Sequence, residues 1–159
     1  FIRTPELNLF ICADLSKEPE LHKIILQVVS DASNIKLMGW VDIEGPVFDN
    51  LANECAWVIN NSHSEGGGGS TLNCMAKGLI PIVSEGASID VPNDVGFKIL
   101  NNKSKSLAEM ILMCSEVNPS ELIHRSKASE LYIIRNHLLK NFELKYKEFL
   151  ISVINAHRK

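Results

Sequence analysis

A run of four glycines, Gly66 to Gly69, stands between Ala56–Ile59, an apolar run of strand length, and Leu72, Met75 and Ala76, which recur at helical spacing. Composition alone would make Gly66 to Ser70 a flexible linker. The flanks predict instead a strand, a glycine turn and a helix within one continuous stretch from Ser64 to Gly78. That arrangement constrains the whole chain, because a strand leading directly into a helix belongs to an alternating α/β architecture. A turn of this kind also leaves unpaired backbone N–H groups at a helix N-terminus, where the helix dipole favours negative charge, so it suits a phosphate or a carboxylate. Gly68→Val is then the substitution expected to block such a ligand with little change in the fold.

The rest of the chain agrees with the alternation. Leu7 to Ala13 is apolar almost throughout and reads as a first strand covered on both faces. Glu18-Pro19-Glu20 opens a helix with Leu21, Ile25, Val28 and Ala32 on one face, and Ile35 to Met38 is a second strand closed by Gly39. Gly45-Pro46 starts a short helix carrying Val47, Leu51 and Cys55. After the glycine turn the helix should end at Gly78, in the left-handed conformation that follows many helices. Leu79 to Val83 is a fourth strand and Gly96 to Leu100 a short fifth one. Leu107, Met110, Ile111 and Cys114 mark a further helix. Asn118-Pro119-Ser120-Glu121 combines a capping residue, proline and glutamate at the start of a long helix to about Leu139, and Asn141 is expected to cap the last helix. The expected fold is a single Rossmann-like α/β domain over 1–159: three layers, a mainly parallel sheet, helices on both faces, and the C-terminal helices packed alongside. In such sheets ligands meet the carboxyl ends of the strands, here Gly39 to Asp42, Asn60 to Thr71 and Ser84 to Asp90.

At 159 residues and 45% hydrophobic residues the chain can bury one core. Its longest apolar candidate, Ile24 to Val29, is far short of the roughly 20 residues of a membrane span. The start at Phe1, without a methionine, suggests a piece of a longer protein. Cys12, Cys55, Cys74 and Cys114 lack metal-type spacing and lie in apolar segments, which reads as buried thiols in a reducing cytoplasm. Residues 1–100 hold 6 Lys and Arg against 13 Asp and Glu, whereas residues 101–159 hold 10 against 6. The acidic part argues against nucleic acid as the main ligand, since phosphate-backbone binding needs a basic face. The basic end, with Lys140, Lys145, Lys147, Arg158 and Lys159, suits either peripheral contact with an anionic membrane surface or the solvated face of a helix.

On the residues Ser64-Glu65-Gly66, Met75-Ala76-Lys77-Gly78, Leu79-Ile80-Pro81-Ile82-Val83 and Gly86-Ala87-Ser88-Ile89-Asp90, the sequence resembles the C-terminal, nucleotide-sugar-binding domain of a GT-B glycosyltransferase of the group 1 (family 4) type. The order of elements agrees over nearly the whole chain. The resemblance implies that Glu65 touches the donor sugar hydroxyls and that the backbone of Gly66, Gly67, Gly68 and Gly69, with Ser70 and Thr71, receives the diphosphate. Gly39, Trp40 and Val41 would lie beside the nucleotide base, and Gly86 and Asp90 would complete the next strand-end loop. The family's ribose-binding glutamate is replaced here by Asn73, whose amide can hydrogen-bond a diol without the strength a charge lends. A basic pair that neutralises the leaving diphosphate, and an acceptor pocket on a separate N-terminal domain, are further parts of the family's active site. Arg3 does not match the basic pair, so the chain is expected to hold the donor half only, inactive by itself. A retaining transfer to a hydroxyl acceptor in polysaccharide or glycolipid assembly, in the cytoplasm at the inner membrane face, is what the family implies.

Competing readings stand beside these. Glu65 could be a charge favouring a helix start, Ser70 and Thr71 simple caps, Trp40 a packing residue, and His63 and Glu85 bystanders in exposed loops. A P-loop is excluded because no Gly-Lys-Ser/Thr follows, and a dinucleotide fingerprint fails at Thr71, where its third glycine belongs. No metal site and no cofactor are expected. From a different class, a non-catalytic Rossmann-like assembly module that has lost donor binding is the alternative, and Asn73 favours it.

Overall fold

The computed structural model describes residues 1–157 except Arg3 and Asn102, so the expectations for Arg3, Arg158 and Lys159 lie outside the described residues. The chain forms two compact units, Phe1–Leu51 and Ala52–Lys159.

In the first unit β1 (Leu9–Ile11) and β2 (Ile35–Leu37) pair in parallel, with Leu9 opposite Ile35, and α1 (Pro19–Ser30) connects them. Pro19 sits in the first turn of α1, where its missing N–H is one the helix would leave unpaired. Buried Asn34 organises the entry to β1: its Nδ2 donates to the carbonyls of Phe1, Thr4 and Leu7 at 3.0, 3.2 and 2.7 Å. Its own carbonyl accepts the Leu9 N–H at 2.8 Å. The expected apolar face of α1 is covered only in part: Ala32, just past the helix, is buried and Ile25 half-buried, but Leu21 and Val28 are exposed. Two strands of three residues, about 10 Å long, cannot cover a helix of twelve, about 18 Å long. α2 (Pro46–Glu54) spans the boundary at Leu51.

The second unit holds β3 (Trp57–Asn60), β4 (Ile80–Ser84) and β5 (Phe97–Ile99), all parallel, in that order. Strand β4 is central and buried along its whole length, as its unbroken apolar run requires. On one face, Val83 packs with Met75 and Leu72 of α3 (Gly69–Ala76) and with Ile133 and Ala128 of α5 (Pro119–Asn136). On the other, Ile82 and Ile99 pack with Leu107, Met110 and Cys114 of α4 (Ser104–Ser115). Helices on both faces of a parallel sheet are therefore observed within this unit, while the strands as a whole fall into two sheets. Pro81 is tolerated in the central strand because it lies before the paired stretch of β5, which begins at Ile82 opposite Phe97.

Local chemistry sets the helix ends. Gly78, at φ +85°, donates to Met75 at 3.0 Å while Leu79 donates to Cys74 at 3.1 Å, the paired bonds of a Schellman motif. Asn118 caps α5 by accepting the Glu121 N–H at 3.0 Å. Asn118→Ala is expected to cost about 1 kcal/mol in urea unfolding. Asn141, by contrast, does not cap α6 (Leu139–Ala156): it lies inside the first turn, and its Nδ2 donates to the Ile134 carbonyl at 2.8 Å. A carbonyl near the end of α5 thereby gains a partner that the helix itself cannot supply. None of the residues of α6 is buried. Of the four cysteines Cys114 alone is buried, Cys55 and Cys74 are half-buried and Cys12 is exposed, which corrects the expectation of four buried thiols. Burial pushes the Cys114 thiol up to about 11, against an opposing pull from Arg125.

Candidate functional site

Strand β3 ends on Asn60, and this residue ties the glycine turn together. Its Oδ1 accepts the Ser62 N–H at 3.2 Å, while its Nδ2 donates to Glu65 Oε2 at 2.6 Å and to Thr71 Oγ1 at 3.0 Å. Acceptor and donor sides of the amide each meet matching partners, so the network itself sets the amide's orientation. Next to it in sequence, Asn61 Oδ1 is buried with no partner among the described residues.

The loop after β4 is stitched to the same turn. Ser84 Oγ donates to the Ser62 carbonyl, and the Glu65 N–H donates to Gly86 O at 3.0 Å. Gly86 must be glycine for this approach, since a Cβ there would collide with the backbone of Ser62 and His63. The structure thus brings together the strand-end segments around Glu65 and Gly86, as the topology predicts.

Within the turn Gly67 and Gly68 take φ of +108° and +54°, and Gly68 is the N-cap of α3 with no side-chain capping bond. The first N–H to join the helical ladder is that of Leu72, on Gly68 O at 3.0 Å. The N–H groups of Gly69, Ser70 and Thr71 precede it and have no partner within the helix. At Gly66 and Gly69 a Cβ would meet nothing within 4 Å, so the turn is open on that side. Three backbone donors and a dipole end beside a carboxylate form an arrangement able to hold an anion next to a hydroxyl-bearing group.

Other expected residues fare differently. Thr71 is only 1% exposed and its hydroxyl belongs to Asn60, so it serves as neither a cap nor an open side-chain contact. Ser70 is exposed and caps nothing, and Asn73 is half-buried on the next turn of α3. Asp90 is exposed, with its carboxylate on Lys98 Nζ at 3.0 Å, and its carbonyl accepts the Tyr132 hydroxyl. Burial, and secondarily the Asp90 charge, push the Tyr132 phenol up. His63 and Glu85 are exposed. Gly39, Trp40 and Val41 belong to the first unit: Gly39 has φ +71°, Val41 is half-buried, and Trp40, at 80% exposed, is not a packing residue. Asn60 and Ser84 were not singled out from sequence, because a lone polar residue at a strand end leaves no periodic signal. Among the described residues no group of three or more His, Cys, Asp or Glu could hold a metal ion.

No family model matches the chain, and no curated protein matches it. Solved structures do. A glycosyltransferase from Rickettsia africae ESF-5 aligns with a TM-score of 0.75 at 18% identity, over 93% of this chain and 40% of that one. Alr3699/HepE of Anabaena, in complex with UDP, aligns with a TM-score of 0.75 at 20% identity, over 93% and 42%. The same protein with UDP and glucose gives 0.75 and 18%, over 95% and 43%. The chain thus spans less than half the length of these proteins. At such identities the likeness is one of architecture, and the chain has the Rossmann-like α/β fold found in the corresponding part of these structures.

Proposed function

We propose that this chain is the donor-binding half of a glycosyltransferase that moves a sugar from a nucleotide diphosphate sugar to a hydroxyl acceptor. The observation that carries the reading is the open glycine turn at the end of β3, with Glu65 held beside the N–H groups that start α3 and have no partner within the helix. A fold shared with a protein solved in complex with UDP supports it. In this reading the N–H groups of Gly69, Ser70 and Thr71 and the backbone of Gly66 to Gly68 receive the diphosphate. As the bond to the sugar breaks, negative charge grows on that leaving group, and donors already in place stabilise it without reorganising. Glu65 would orient the sugar through its hydroxyls and Asn73 the ribose, while Gly86 and Asp90 shape the adjoining loop.

The remaining parts of the reading follow the resemblance: a single donor domain, no metal, retaining stereochemistry, and a basic pair and acceptor pocket supplied by an N-terminal domain, so that the chain alone binds donor without turning it over. Polysaccharide or glycolipid assembly at the cytoplasmic membrane face is the proposed setting. No described helix is long and apolar enough to cross a membrane.

The test is thermal unfolding with UDP, GDP and their sugar conjugates. A ligand at one hundred times its Kd should add about 2.7 kcal/mol, which for a chain of this size raises Tm by about 5–10 °C. Unchanged Tm with every ligand at millimolar concentration would remove the donor-binding reading. It would favour the second one, a non-catalytic Rossmann-like assembly module, to which the replacement of a glutamate by Asn73 already points.

A further inference from the structure

We infer that Asn60 is a positioning residue that aims Glu65 at the donor sugar by holding one of its oxygens and leaving the other for the sugar. This rests on the donor-binding reading. Asn60 Nδ2 occupies Glu65 Oε2 at 2.6 Å, and no described residue bonds Oε1. The same nitrogen reaches Thr71 Oγ1 at 3.0 Å, in the first turn of α3. One amide therefore fixes the separation between the carboxylate that would meet the sugar and the helix start that would meet the diphosphate. A glutamate side chain has three rotatable bonds, and beside Gly66, where a Cβ would meet nothing within 4 Å, the bond from Asn60 is what fixes its carboxylate among the described residues. The Glu65 N–H on Gly86 O anchors its backbone but leaves the side chain to Asn60.

The chemistry of the amide allows the two ties to be separated. In Asn60→Asp the new carboxylate can still accept from the Ser62 N–H, and it can accept from the Thr71 hydroxyl, so the links to the strand end and to α3 survive. It cannot donate to Glu65 and repels it. Asn60→Ala removes every tie at once.

The experiment measures the affinities of the unaltered chain and both variants for UDP and for UDP-glucose by calorimetry, with thermal unfolding recorded for each. The unaltered chain is expected to prefer UDP-glucose, and the ratio of the two affinities should fall about tenfold in Asn60→Asp, the order expected from loss of one charge-assisted contact. Asn60→Ala should lose the ratio as well, with a lower Tm than Asn60→Asp. A residue that merely stabilised the turn would weaken both ligands together and leave the ratio unchanged; that result overturns the assignment. An unaltered ratio in Asn60→Asp, or an unaltered chain that binds UDP without preferring UDP-glucose, overturns it too. Failure of the unaltered chain to bind UDP at all is a different outcome, which removes the donor site itself and Asn60's role with it.

Discussion

Gly68→Val is expected to destabilise the chain by about 4 kcal/mol in urea unfolding, from left-handed strain of 1–3 kcal/mol and overpacking of similar size. Gly68 has φ +54°, a conformation costly for any β-branched residue, and a Cβ there would run into the side chain of Ile89. Ile89 is itself buried in the cluster that includes Met75 and Val83, so it has little room to retreat. The substitution that sequence reasoning recommends as a clean block of the ligand is therefore a substitution of the fold, and loss of ligand in that variant would say nothing about the site. Gly66→Ala, where a Cβ meets nothing within 4 Å and φ is not positive, should stay within about 0.5 kcal/mol of the unaltered chain. Equal stability of the two variants would show that the turn does not have this geometry.

Met75→Ala is expected to cost about 3 kcal/mol, within the range for emptying a buried methionine site. Met75 is 0% exposed and fills the space between α3, β4 and α5, against Val83, Ala87 and Ile133. Its removal deletes transfer energy and leaves a void bounded by regular elements that cannot easily collapse. Met113, 46% exposed on α4, supplies the control: its replacement by alanine should change stability by less than about 0.5 kcal/mol. The two large effects should also couple. Gly68→Val pushes on Ile89, and Ile89 shares the cluster that Met75→Ala opens, so the double variant should be more stable than the sum of the single losses allows. Strict additivity would mean that the two positions do not share one core.

Much of this architecture is written locally. The buried run Ile80–Val83, the Schellman glycine at Gly78, the Asn118 cap and the glycine turn opening α3 are each short-range features, legible because propensity, turn chemistry and periodicity act over a few residues. Asn141 was misplaced for the same reason: a capping residue type says what an end could use, while the bond to Ile134 depends on how two helices meet. Periodicity places Leu21, Ile25 and Val28 on one side of α1, but it reports which residues share a side, not how far anything covers that side.

The amino-acid sequence by itself determined the order of strands and helices, the turn after β3 and the position of Glu65 within it, since each follows from residue type and spacing. Tertiary structure alone decided what surrounds Glu65. Asn60 and Thr71 lie 11 residues apart and Ser84 lies 22 from Ser62, and nothing in their local sequence pairs them. Ser84 reaches Ser62 because parallel β3 and β4 bring their carboxyl ends side by side, and Thr71 reaches Asn60 because the glycine turn folds the start of α3 back onto the end of β3, where the same amide holds the Glu65 carboxylate.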